Sequence, residues 1–104
     1  MKELVLMAAL FLDANGNHPT PNHLKGYYPP MRYDYPFPGR VYVLWESTES
    51  IREICPTSIV ACVVDISYRS CTIAISSDWK HRRNDILRHE NGHCNGWRAD
   101  HPQR

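Results

Sequence analysis

The residues with the clearest chemistry lie in one stretch near the end of the chain, His89-Glu90-Asn91-Gly92-His93-Cys94-Asn95-Gly96-Trp97-Arg98-Ala99-Asp100-His101. In a helix His89 and His93 lie one turn apart on one face, so both imidazoles can reach a single ion. Neutral imidazole is a good donor to zinc. Three protein ligands and one open position let that ion bring the pKa of a bound water close to neutrality. Glu90, beside the pair, is suited to act as a general base that takes the water proton and passes it to a leaving amine. Gly96 stands where a helix needs a left-handed terminating residue, and two more donors, Asp100 and His101, follow it. The plain alternative is a surface helix carrying two solvated histidines.

This H-E-x-x-H block resembles the zincin metallopeptidases, and its H-E-x-G-H-x-x-G core is similar to the metzincin signature. The fuller string, with Asn95-Gly96-Trp97 and the closing Asp100-His101-Pro102, looks more like that of small uncharacterised bacterial and phage proteins with a zincin-like terminus. The likeness is specific over residues 86–102 and only suggestive over residues 41–85. It implies one zinc, His89 and His93 as ligands, Glu90 as base, and hydrolysis of a peptide or other amide bond. The metzincin third ligand falls three residues after the glycine. Here that place holds Ala99, which has no donor, and all three methionines lie upstream, so there is no Met-turn candidate. The third ligand is then His101 or Asp100. His101 is preferred because it adds a third neutral imidazole, and Pro102 is expected to hold its backbone extended with the ring turned back to the helix. Asp100 is the alternative ligand, or the acceptor that fixes the other ring nitrogen of a ligand histidine.

The elements that must position this block are few. A chain of 104 residues is one domain with a small core, and its formal charge of +1, with acids and bases interleaved, lacks the basic face of a nucleic-acid binder. No run of about 18 apolar residues exists to span a membrane. Residues 4–12 form an apolar run behind Lys2 with the length of a signal-peptide core, so residues 1–14 read as a signal peptide or as a first buried strand or helix. Residues 15–40 hold six of the eight prolines and four tyrosines, which forbids a regular helix or central strand. That segment is expected to be extended, either a Tyr-rich arm for a partner or a linker that lays its aromatics on the domain. His18 and His23 within it read as solvated.

Residues 41–104 form the expected zincin-like domain. Val41, Val43 and Trp45 alternate with Tyr42 and Leu44 as in a strand covered on both faces. Ser47 to Ser50 can cap a short helix that ends before Pro56. Residues 59–66 and 71–76 read as an antiparallel hairpin across Ser67-Tyr68-Arg69-Ser70, with Cys71, Ile73 and Ile75 on one face. The alternation in 71–76 suggests an edge strand above the metal helix, where an extended substrate could pair. Ser77 or Asp78 can open the last helix. The expected fold is α+β, a small antiparallel sheet packed on a C-terminal metal-binding helix.

Four cysteines and no Cys-x-x-Cys pair argue against a zinc ribbon and suit two disulfides. Of three pairings, Cys55 with Cys62 and Cys71 with Cys94 are favoured; four free thiols in a reducing cytoplasm are the alternative. Cys94, about 100° round the helix from His93, is not a ligand. Two disulfides behind a signal peptide imply a periplasmic or secreted protein. No stabiliser for a reaction oxyanion is evident, and Tyr68, Arg69 and Arg98 are candidates by residue type only. The rival to a zinc peptidase is a non-catalytic binding module that zinc and disulfides merely stabilise, or a cytoplasmic phage protein without catalysis.

Overall fold

The computed structural model describes the backbone of Lys2–Leu4 and residues 27–103. The remainder of the signal-peptide reading for residues 1–14, with His18 and His23, lies outside the described residues. The order is β1 (Lys2–Leu4), β2 (Arg40–Glu46), α1 (Thr48–Ile54), β3 (Ala61–Ile66), β4 (Ser70–Ser76) and α2 (Arg83–Cys94), with 3-10 turns at Met31–Tyr33 and Ser77–Arg82.

Local chemistry accounts for the elements. Ser47 caps α1 by accepting from the Ser50 amide at 3.2 Å, and Pro56 follows its end. The hairpin closes through the Ser67 amide on the Ser70 carbonyl, 2.8 Å away. Ser58 opens β3 by accepting from the amides of Val60 and Ala61. Strand alternation sorts side chains to two faces, as it must with a period of two. Val41, Val43, Cys71, Ile73 and Ile75 meet Ile86, Leu87 and Cys94 of α2, while Ala74 meets Ile51 and Cys55 of α1. The sheet is thus a middle layer with a helix on each face.

The α+β arrangement on a C-terminal helix is as expected, but the sheet is mixed instead of antiparallel. Its order is β1-β2-β4-β3, with β2 and β4 parallel and the other two pairs antiparallel. The chain leaves β2 through α1 and returns on β3 two strand positions away, and the tight hairpin then slots β4 into the gap. Residues 71–76 are therefore central and paired on both sides, which overturns the expectation of an edge strand there. Every residue from Cys71 to Ser76 is buried, the pattern of a strand covered on two faces. Among the described strands β1 and β3 form the two edges, and on β3 an extra residue between Val63 and Asp65 makes a bulge.

Two disulfides hold these layers. Cys55–Cys62 ties the end of α1 to β3, and Cys71–Cys94 ties β4 to the last turn of α2. Loop closure over 23 residues of separation stabilises by about 3 kcal/mol, and the shorter loop by less.

The stretch from Tyr27 to Phe37 lies along α2 on the side away from the sheet. The Asp34 carboxylate takes a two-pronged bond from Arg88, Nε to Oδ1 at 2.9 Å and Nη2 to Oδ2 at 2.5 Å, and both side chains are buried. Arg88 also lies over the Tyr28 ring, 4.0 Å from its centroid. The Tyr28 hydroxyl donates to Asp85; burial first, and then that bond, push its pKa up to about 12. Asn91 donates to the Tyr35 carbonyl at 2.6 Å and accepts from the Phe37 amide at 3.1 Å. Asn95 donates to the carbonyls of Tyr33 and Tyr35. Gly92 permits this closeness, since a Cβ there would stand 2.6 Å from Pro29. A proline-rich segment cannot form a ladder of its own, so side chains from one face of α2 satisfy its backbone.

Removing one member of a buried ion pair leaves the other charge desolvated, at a cost of about 3–5 kcal/mol. Asp34→Ala should therefore lower unfolding free energy by about that much in urea denaturation, whereas replacing Asp34 and Arg88 together by apolar residues of similar volume should recover most of the loss. A single variant as stable as the parent would show that the clamp does not hold the segment down.

Candidate metal centre

Helix α2 turns His89 and His93 to the same side, as their spacing requires, and then ends abruptly. Asn95 closes the helix and Gly96 takes φ +105°, while the amides of Gly96 and Trp97 donate back to the carbonyls of His93 and Gly92 at 3.0 and 2.9 Å. These two bonds are the Schellman pattern, for which glycine is the least strained residue at the left-handed position. Reversal there brings Trp97 back under the helix and carries the chain on to His101.

The three histidines converge. Their Nε2 atoms form a triangle with sides of 3.1, 3.2 and 3.3 Å, and they are a group close enough to hold a metal ion. A tetrahedral site with metal–nitrogen bonds of about 2.0–2.1 Å has ligand atoms about 3.3–3.4 Å apart. The triangle therefore fits one small ion with a fourth position open. Backbone carbonyls settle the tautomers of two rings. His89 Nδ1 bonds the Tyr27 carbonyl, and His93 Nδ1 bonds the Trp97 carbonyl at 2.7 Å. A carbonyl can only accept, so each Nδ1 carries the hydrogen and, in the neutral ring, each Nε2 has a bare lone pair. Burial lowers the pKa of His89 to about 4, with the neighbouring histidines adding to the shift and the Tyr27 carbonyl opposing it; burial lowers His93 as well. Bare lone pairs facing each other repel, and a cation between them removes that repulsion.

Trp97 packs against all three histidines. Its buried indole stacks on His93 at 4.9 Å and meets His101 and His89 edge-on at 4.9 and 5.1 Å. Its Nε1 donates to the Pro102 carbonyl at 2.8 Å, which fixes the segment bearing His101. Tyr27 stacks on the other side of His89, ring centroids 4.4 Å apart. Both contacts are invisible to spacing rules. For Trp97 the available signal was an aromatic directly behind a helix-ending glycine; for Tyr27 there was none.

The route by which His101 reaches the site differs from the expected one. Its backbone is left-handed, φ +56°, not extended, in spite of the following proline. Histidine enters this region more readily than most residues, and the His101 amide bond to the Arg98 carbonyl, 2.9 Å, closes the turn that holds it there. Asp100 takes neither expected place at the site. Its carboxylate pairs with Arg98 Nη2 at 2.8 Å on the exposed surface, and the tautomer-fixing acceptors are the two backbone carbonyls instead. Ala99 lines the cleft without offering a donor.

Glu90 is buried beside the triangle, its Oε2 4.0 Å from His89 Nε2, and burial pushes its pKa up to about 7. Two cavities flank it. One of about 620 Å3 opens over the three histidines and Trp97; the other, of about 410 Å3, runs from His89 and Glu90 toward Trp79 and Arg82. Tyr27, Ser58 and Ala61 wall both, so the start of β3 faces α2 across the cleft. None of the residues named by type as oxyanion stabilisers lines either cavity: Tyr68 is 88% exposed, Arg69 sits over the Tyr68 ring, and Arg98 is paired with Asp100.

The chain matches no protein-family model, no curated protein and no solved structure. Among the described residues no helix is long and apolar enough to cross a membrane.

His101→Ala removes one corner of the triangle and should cost most of the metal affinity, measured by competition with a chelating dye. Asp100→Ala should bind metal like the parent, because its partner is Arg98. The opposite ranking would transfer the third ligand to Asp100.

Proposed function

We propose that the protein is a zinc-dependent hydrolase of peptide bonds. The observation that carries this reading is a triangle of three Nε2 atoms 3.1–3.3 Å apart with the Glu90 carboxylate 4.0 Å from one corner, at the floor of an open cleft. An all-imidazole donor set of this shape suits zinc. Held by His89, His93 and His101, zinc would act as a Lewis acid and would make water a nucleophile near neutral pH. A site that is only structural has four protein ligands and no use for a buried carboxylate beside them.

Glu90, 4.0 Å from His89 Nε2 and outside the group of three histidines that could share an ion, would serve as the base that takes a proton from the attacking water. It then returns that proton to the leaving amine. His89 and His93 keep their rings turned to the cleft through the carbonyls of Tyr27 and Trp97. The free edge of β3 borders the cleft, so an extended peptide can lie along it by backbone hydrogen bonds. The disulfides suit an oxidising compartment, consistent with a periplasmic or secreted protein of bacterial or phage origin.

Purified protein should contain about one zinc per chain by elemental analysis. Glu90→Gln should retain that zinc and lose about 10²- to 10⁴-fold in hydrolysis of a mixed peptide library. Equal activity in the variant would remove Glu90 from the mechanism. A zinc-loaded wild type that cleaves nothing in the library would leave the non-catalytic module, stabilised by zinc and disulfides, as the better reading.

A further inference from the structure

The cleft is uneven in charge. Over the histidines its lining carries no charged side chain except Glu90. At the other end the cavity beside Glu90 reaches Arg82 and Asp85, and these two residues also line a neighbouring concavity of about 360 Å3 with Lys80, His81 and Arg83. In that adjoining concavity three cations stand with one carboxylate, whereas the cavity beside Glu90 itself holds Arg82 with Asp85 and Glu90, in a chain whose formal charge is only +1.

The single carboxylate does not cancel this corner. Asp85 Oδ2 accepts from Arg82 Nε at 3.0 Å and lies 2.9 Å from its Nη2, while its other oxygen accepts from the Tyr28 hydroxyl. Asp85 is thereby fixed to the Tyr28 segment and holds the Arg82 guanidinium at the mouth of the cavity, with Nη1 outside the pair. Lys80 rests over the Trp45 ring, 5.3 Å from its centroid, a contact that leaves its charge in solvent. Arg83 is exposed. Asp78, the other nearby acid, accepts from the Thr48 hydroxyl at 2.7 Å and does not line the concavity.

We propose that this corner is a substrate subsite for carboxylate groups, and that the preferred substrates are peptides bearing acidic residues on the Glu90 side of the bond to be cut. The inference rests on the reading of the cleft as a peptide-hydrolysing site. Arg82 has Nη1 outside its pair with Asp85 to offer a carboxylate, and Lys80 and Arg83, which line the adjoining concavity and not the cleft itself, add point charge beside it. Exposed pairs are each weak, so the selectivity comes from several cations acting together and fades as salt screens them. The other end of the cleft has no such cations, which orients the peptide: its acidic part goes toward Arg82 and its neutral part over His101.

The test uses zinc-loaded Glu90→Gln protein and fluorescent peptides of one length whose acidic, neutral or basic residues occupy the same positions, with binding read by anisotropy at low and high salt. The acidic peptide should bind about tenfold tighter than the neutral one at low salt, and the gap should close at high salt. Lys80→Glu combined with Arg83→Glu, both at exposed positions, should erase that preference while changing neutral-peptide binding by less than about twofold. In wild-type kinetics the acidic residue should lower KM with little change in kcat. Equal affinity for acidic and neutral peptides, or an unchanged preference after charge reversal, would overturn the proposal. So would displacement of the acidic peptide by a single-stranded oligonucleotide of equal charge, which marks a general polyanion surface. Intact acidic preference in binding, with no hydrolysis by the wild type, would count against the hydrolase reading alone.

Discussion

Helix α2 is buried from Ile86 to Gly92, although this stretch includes Arg88, His89, Glu90 and Asn91. Such a sequence can be interior only if something other than water satisfies it. The Tyr27 to Phe37 segment supplies that, with Asp34 for Arg88, backbone carbonyls for Asn91, Asn95 and His89, and a ring face for the Arg88 guanidinium. The exchange is mutual, because a segment rich in proline has unpaired carbonyls that the helix side chains bond. The histidine face, the sheet-facing side and the clamped side are three stripes of one helix, each with its own surroundings.

The geometry of the site follows from this clamp and from one turn. The clamp places the Tyr27 carbonyl on His89 Nδ1, and the Gly96 turn places the Trp97 carbonyl on His93 Nδ1. Main-chain groups thus do what carboxylates do in many metal sites, orienting the ring and fixing its hydrogen. A side-chain substitution leaves such an acceptor in place, provided that the backbone stays where it is. Strain at His101, whose left-handed backbone precedes a proline, is accepted in order to bring the third ring to the triangle.

A small chain has little core with which to hold a strained turn and a cluster of bare imidazoles. The Cys71–Cys94 bond fastens the last turn of α2, next to His93, to the central strand, and Cys55–Cys62 fastens the wall of the cleft opposite. Covalent ties at these points restrict both sides of the cleft where hydrophobic area is scarce. The start of β3 and Arg82 line one cavity beside Glu90.

The spacing of His89 and His93, the terminating role of Gly96, the capped α1, the hairpin and both favoured cysteine pairings were legible because each depends on neighbours in sequence or on the two periodicities of helix and strand. His101 was singled out by residue chemistry, yet its backbone was misjudged, since the bond to Arg98 that holds it left-handed is a property of the folded turn. Alternation assigns residues 71–76 to faces but says nothing of which strands lie beside them, so only the tertiary structure could make β4 central and β2 its parallel neighbour. The sequence likewise marked residues 27–37 as unable to form regular structure, and no local rule could say what would satisfy their carbonyls. The partners that decide this, Arg88, Asn91 and Asn95, are more than fifty residues away along the chain and become neighbours only when α2 is packed.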